Sequence, residues 1–194
     1  LEMVAAMKPL NDRLEQEAKE EGRKHLDLKV GLGLNSGDAV VGNMGTAQRM
    51  DYSVLGDTVN TAARLEGQSK TYGVDIVLGP KTWEQVEQDF ATLRLDNIQV
   101  KGKTVGLLVY ALMGDADLAK DPNFTEVKAL VEDMLNSYAS QKWSESRSCI
   151  EQLKVKGAPF RLDVLCELYE GRISAYEINP PGPDWDGIFV ATTK

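Results

Sequence analysis

The chain has 194 residues, room for one full-sized domain or a small domain with an appendage, and its 42% hydrophobic and 27% charged residues suit a chain that buries a core. Thirty acids against 22 bases leave a formal charge of −8, which excludes broad electrostatic capture of nucleic acid or of an anionic lipid surface and confines any phosphate contact to a local basic site. Two cysteines and one histidine are too few for a disulfide framework or a Cys/His zinc site, and no apolar run reaches the about 18 residues of a membrane span, so the segment reads as cytoplasmic and without direct membrane contact.

The chain opens inside an element and reads as the carboxyl part of a longer protein. Met3, Met7, Leu10 and Leu14 recur at helical spacing, predicting an amphipathic helix from residue 1 to about 22 that bends or begins at Pro9. Leu28, Val30, Leu32 and Leu34 alternate with Lys29, Gly31, Gly33 and Asn35, predicting a strand whose leucine and valine face is buried. Asn35-Ser36-Gly37-Asp38 then turns the chain into a partner strand from Ala39 to Gly45, so the two are expected to form a hairpin. After a polar link, Tyr52-Ser53-Val54-Leu55 reads as a strand, Gly56-Asp57 as a turn, and residues 58–66 as a helix stopped by Gly67.

Residues 74–78 read as a short strand and residues 81–90 as a helix entered through Pro80. Leu93, Leu95, Ile98 and Val100 form one strand and residues 105–112 the next, with a phase slip between Leu95 and Ile98 that calls for a bulge and a turn at Lys101-Gly102-Lys103. Residues 114–122 are a linker. Beyond it three helices are marked by Leu130, Met134 and Tyr138, by Trp143, Ile150 and Leu153, and by Leu165, Leu168, Tyr169 and Ile173. Pro180-Pro181-Gly182-Pro183 ends the last of them, and an extended segment packs back through Trp185 and Phe189.

The chemistry concentrates after the third strand. Asp57, Asn60 and Arg64, three and four residues apart, fall on one helical stripe. Arginine carries a planar fork of donors that stays charged at working pH, which suits a phosphate whose charge grows during reaction, and a lysine in a turn, Lys101 or Lys103, offers a mobile point charge for a polyphosphate. Taken alone, an Asn/Arg pair four residues apart is an ordinary solvated helix face, Lys-Gly-Lys is ordinary turn chemistry, and Ser53 can simply satisfy a strand end. Asp57 suits a helix N-terminus, His25 the surface, and Cys149 and Cys166 apolar packing.

The stretch MDYSVLGDTVNTAARLE, preceded by VGLGLNSGDAVVGNMG and followed by VKGK, resembles the carboxyl portion of class III adenylate and guanylate cyclase catalytic domains over residues 1–113. The ending PPGPDWDGIFVATTK is similar to the tail of bacterial sensor-linked adenylate cyclases, which makes residues 123–194 a helical tail with an extended end. The resemblance implies an α/β fold: part of a ferredoxin-like cyclase core with a mixed, largely antiparallel sheet and helices on one face, plus the helical tail. It further implies conversion of ATP to cyclic AMP and pyrophosphate, with Asn60 orienting the ribose, Arg64 stabilising the transition state, Lys101 holding the terminal phosphates and Ser53 reading the base. Serine at that position leans toward adenine.

The family's Mg2+ or Mn2+ ligands lie in upstream segments, and neither Asp38 nor Asp57 matches them, so no metal ligand is assigned in this chain. A homodimer with shared sites is implied, and this piece alone is expected to be inactive and, with a sheet edge uncovered, to self-associate. Two other readings stay open: a guanylate cyclase, and a non-catalytic cyclase-like module that binds a regulatory partner.

Overall fold

The computed structural model describes residues 1–46, 48–99 and 106–190. The first helix is split into α1 (Glu2–Ala5) and α2 (Met7–Glu20). The break at Ala6 lies just ahead of Pro9, whose ring is incompatible with an uninterrupted helix there, and places the proline in the first turn of α2. Exposed pairs four residues apart, Lys8 with Asp12, Arg13 with Glu17 and Glu15 with Lys19, support α2 by a few tenths of a kcal/mol each, about what such helical pairs contribute.

Strand β1 (Leu32–Leu34) is shorter than its alternation predicts, and the close-packed face differs from the expected one. Helix α3 (Asp57–Tyr72) lies directly on the glycines: a Cβ at Gly33 would sit 2.2 Å from the Ala62 carbonyl oxygen, and one at Gly31 would sit 2.2 Å from Ser69 Oγ. Leu28 and Leu34 stay exposed. Hydropathy alternation ranks glycine as neutral and so cannot register a helix resting on bare backbone.

The expected hairpin between β1 and the next strand is not formed. Strand β2 (Val40–Thr46) pairs antiparallel with β3 (Arg49–Leu55) in a separate two-stranded ribbon, while β1 pairs in parallel with β4 (Ile76–Leu78). Both Asn35–Asp38 and the link near Gln48 look like turns locally; the pairing is decided by which strand lies beside which in three dimensions. Gly67 does not stop α3, which runs one and a half turns further to Gly73, a left-handed residue at φ +69° that accepts the cap without Cβ strain.

Helix α4 (Pro80–Val86) starts with proline at its first position, where the missing N–H costs nothing. Strands β5 (Ala91–Gln99) and β6 (Leu107–Gly114) are antiparallel, with register shifts at Ala91/Thr92 and at Arg94/Asp96. The second shift is the bulge demanded by the phase slip, set slightly earlier, and it leaves Leu95 and Asp96 both buried. Val100 and the Lys101-Gly102-Lys103 turn lie outside the described residues.

The segment expected as a linker contains α5 (Ala116–Ala119), capped by the Asp115 carboxylate, and α6 (Pro122–Ala139) begins at Asp121, whose Oδ1 accepts the Asn123 amide at 2.7 Å. The tail helices follow as α7 (Trp143–Lys156) and α8 (Asp163–Ile178), and β7 (Phe189–Val190) pairs in parallel with the end of β5. The main sheet therefore runs β1-β4-β6-β5-β7, a mixed sheet in an α/β fold.

One core joins the sheet to the tail, from Leu65 and Tyr72 of α3 through Leu93, Leu95 and Val109 to Val131, Leu153 and Tyr169. A smaller cluster of Ile76, Leu78 and Tyr110 lies apart from it, with Val4 and Trp83 packed against it, so helices cover more than the one face expected. Trp83 stacks on Tyr110 at 4.2 Å and donates its indole N–H to Thr92 Oγ1 at 3.1 Å. Cys166 is buried and Cys149 half-buried, both as free thiols, and no helix of the described residues is long and apolar enough to cross a membrane.

Candidate active site

Helix α3 is held from one side. Thr61, Leu65, Ser69 and Tyr72 recur at helical spacing and are buried, while Asn60 and Arg64, one turn apart on another face, are exposed. Neither side chain is enclosed in apolar packing. The Arg64 guanidinium forms no ion pair with a described residue, which leaves its donor fork available to an anion.

The start of the helix is fixed by contacts from the preceding turns. Gly56, at φ +154°, lies against the Asp38–Ala39 backbone, and its carbonyl oxygen accepts the Val59 and Asn60 amides at 3.2 Å each. Asn35 Nδ2 donates to the Thr58 carbonyl at 3.1 Å, and Ser36 Oγ and Thr82 Oγ1 share a hydrogen bond of 3.0 Å that ties the same turn to α4. Gly79 receives the Asn35 side chain so closely that a Cβ would sit 2.2 Å from Oδ1. These residues aim the Asn60/Arg64 stripe. In sequence, residues 35–38 read only as a turn, because nothing in their spacing discloses a partner 23 residues away.

Ser53 sits on β3 opposite Gly42 and is the one half-buried residue of an otherwise exposed strand that leads through Gly56 straight into α3. Around it the ribbon exposes Val40, Val41, Met50, Tyr52, Val54 and Leu55, with Tyr52 at 76%. A two-stranded ribbon is marginal in water by itself, and one with exposed apolar residues on both strands has a surface suited to a partner. Lys101 lies outside the described residues.

A divalent cation needs a convergent set of oxygen or nitrogen ligands. Among the described residues no group of three or more His, Cys, Asp or Glu side chains meets that need, so they do not form a metal site.

Comparison with known proteins agrees with the motif. The family model for the adenylate and guanylate cyclase catalytic domain matches residues 1–114. Adenylate cyclase 1 of Rhizobium meliloti is 33% identical over 88 residues, 45% of this chain and 13% of that protein. The adenylate cyclase of Anabaena cylindrica is 31% identical over 111 residues, 56% of this chain and 22% of that protein. The chain thus spans less than a quarter of the length of these relatives. Among solved structures, the adenylyl cyclase CyaB from P. aeruginosa is 28% identical, covering 56% of this chain and 54% of that one with a TM-score of 0.45. The guanylyl cyclase Cya2 is 29% identical, with coverages of 59% and 54% and the same score.

Proposed function

The chain belongs to the adenylate and guanylate cyclase catalytic-domain family, and from that premise we propose that it supplies the ribose-orienting and transition-state-stabilising side of a site that converts ATP to cyclic AMP and pyrophosphate, shared across a homodimer in the cytoplasm. The observation that carries this reading is the exposed Asn60/Arg64 pair on a helix anchored from its other side.

In the reaction the ribose 3′ oxygen forms a bond to the α-phosphorus, the bond from that phosphorus to the bridging oxygen of pyrophosphate breaks, and the hydroxyl proton leaves to solvent or a base. Negative charge spreads over the α-phosphoryl oxygens as this happens. The Arg64 guanidinium meets that charge with a fixed fork of donors, and the Asn60 amide holds the ribose so that the 3′ hydroxyl stays in line. Ser53, with both a donor and an acceptor, contacts the purine edge and favours adenine; Lys101 neutralises the terminal phosphates. The exposed apolar ribbon beside α3 supports a second protomer as the surface that closes the site. The Mg2+ or Mn2+ that serves such cyclases is assigned to residues other than the described ones.

The test is Arg64→Ala in the full-length protein, with Mg2+-ATP and Mg2+-GTP as alternative substrates. Removing a donor that acts on developing charge should lower kcat by about 100- to 1,000-fold with little change in KM. Unaltered turnover would refute the role of Arg64. A wild-type preference for GTP would refute the adenine assignment, and absence of turnover with both nucleotides would favour the regulatory-module reading.

A further inference from the structure

Helix α3 ends against the tail. Its last residue, Tyr72, is buried and donates its hydroxyl to Asp96 Oδ2 of β5 at 2.7 Å. The same oxygen accepts Arg172 Nη1 of α8 at 2.6 Å, so a single carboxylate oxygen ties the end of α3 to the tail through the sheet. The Phe189 ring covers that guanidinium, its centre 3.6 Å from the guanidinium carbon, a cation–π contact to a buried cation. Tyr169, three residues before Arg172 and also buried, donates its hydroxyl to the Leu95 carbonyl at 2.8 Å. Helix α8 is thereby bonded to β5 at adjacent residues, 95 and 96, the second of which also holds Tyr72.

The first turn of α8 meets the cap of α3. Gly73 lies so close to Val164 that a Cβ there would sit 2.5 Å from the valine Cβ and 2.8 Å from its Cγ2. Just beyond, Arg161 pairs with Asp75, an exposed contact that adds little by itself. Leu65 and Tyr72 also share one apolar core with Leu165 and Tyr169. Val164 thus limits how far the cap can shift toward α8, and the Tyr72 hydroxyl holds the helix against β5. Tyr72 is eight residues beyond Arg64, about 12 Å along the axis at 1.5 Å per residue. A packed interior has low compressibility, so a shift at that end is shared along the helix and reaches the Asn60/Arg64 face.

We infer that Tyr72 and Val164 are positioning residues for Asn60 and Arg64: they fix the place of α3 from its C-terminal end, so that the helical tail is a working part of the site and turnover depends on how α8 is seated. This rests on the cyclase reading of Asn60 and Arg64. Tyr72 and Val164 touch no nucleotide in this account; they act through the helix whose end they hold.

The experiment compares wild type, Tyr72→Phe, Val164→Ala and Ile150→Val in the full-length protein, with Mg2+-ATP and Mg2+-GTP as substrates and native-state hydrogen exchange of the α3 amides followed in parallel. Tyr72→Phe keeps the ring in the core and removes only the bond to Asp96; Val164→Ala opens space beside Gly73. Each should lower kcat about tenfold with KM nearly kept, within the up to roughly hundredfold cost of a 1 Å misplacement. Exchange in the last turns of α3 should accelerate in both. Ile150→Val loosens the tail core at a buried residue of α7 and should change neither kcat nor α3 exchange, which separates positioning from a general loss of stability. In an Arg64→Ala background Tyr72→Phe should cost less than it does in wild type, because one of the groups it positions is gone.

Wild-type kcat in either Tyr72→Phe or Val164→Ala would overturn the inference, as would an equal loss in Ile150→Val. Effects of Tyr72→Phe and Arg64→Ala that multiply independently would also overturn it, because Tyr72 would then not act through Arg64. If the wild-type protein turns over neither nucleotide, the cyclase reading fails on its own account. Faster α3 exchange confined to Tyr72→Phe and Val164→Ala then still supports the hold of α8 on α3, and unchanged exchange overturns it.

Discussion

The buried pair of Asp96 and Arg172 offers the most quantitative test of how the tail is joined to the sheet. Arg172 Nη1 lies 2.6 Å from Asp96 Oδ2, with side chains only 6% and 2% exposed, and the same oxygen accepts the Tyr72 hydroxyl at 2.7 Å. Asp96 Oδ1 accepts the Asn97 amide at 2.8 Å. Burial, followed by the Asp96 carboxylate, holds the Tyr72 hydroxyl well above its ordinary pKa, so tyrosine remains a donor to the carboxylate. Arg172→Met keeps most of the side-chain volume but leaves the carboxylate without its counter-charge, which costs about 3–5 kcal/mol for a buried pair broken on one side. Loss of the contact to Phe189 adds about 1 kcal/mol.

The total is a large share of the about 5–15 kcal/mol that holds a typical domain folded. Urea denaturation followed by tryptophan fluorescence measures it. Asp96→Asn should cost less, and the double variant should be less destabilised than the sum of the two by at least about 1–2 kcal/mol, the coupling expected of groups in direct contact. A loss below about 1 kcal/mol for Arg172→Met, or strict additivity, would refute the reasoning, since a solvent-screened pair contributes only that much.

Gly33→Ala must displace either β1 or α3, because its Cβ would fall 2.2 Å from the Ala62 carbonyl oxygen and 2.3 Å from the Glu66 nitrogen. The expected cost is about 1–3 kcal/mol in urea, typical of overpacking, with a fall in kcat larger than the change in KM; stability within about 0.5 kcal/mol of wild type would contradict the close packing. Burial pushes the Cys166 thiol from an ordinary 9.0 to about 11. At pH 8 alkylation of the folded chain should therefore be slow at Cys166, and rapid labelling there by mass spectrometry would count against its burial. Below pH 9 this thiol is protonated in folded and unfolded chains alike. Between pH 9 and about 11 only the unfolded chain releases the proton, so its contribution to stability is lost as pH rises, and Cys166→Ala should remove that part of the alkaline decline.

Much of the fold is readable wherever burial follows a local period. The 3.6-residue recurrence of Leu130, Met134 and Tyr138, and of Leu165, Tyr169 and Ile173, marks helices that the structure contains, and the phase slip in β5 marks its bulge. The motif around Asn60 and Arg64 shows the family because several uncommon choices coincide within a few residues.

Features set by distant partners were hidden. Gly67 and Gly73 are equally good helix stops in isolation, yet only Gly73 has the left-handed backbone that uses glycine. The alternation that foretold β1 assigned its faces by hydropathy and missed the two glycines on which α3 rests. Asp96 looks like a surface residue in a strand until Arg172, 76 residues later, is folded against it.

Direct seating of α3 on the β1 backbone also removes the compliant layer that normally separates a helix from a sheet. Side chains at such an interface can change rotamer and absorb small shifts; at Gly33 backbone meets backbone, and at Gly31 only the short Ser69 side chain intervenes. A displacement of β1 is thus passed to the Asn60/Arg64 face with little damping, as a rigid lever would pass it. Any signal that reaches β1 has a short mechanical route to the groups proposed to touch the nucleotide.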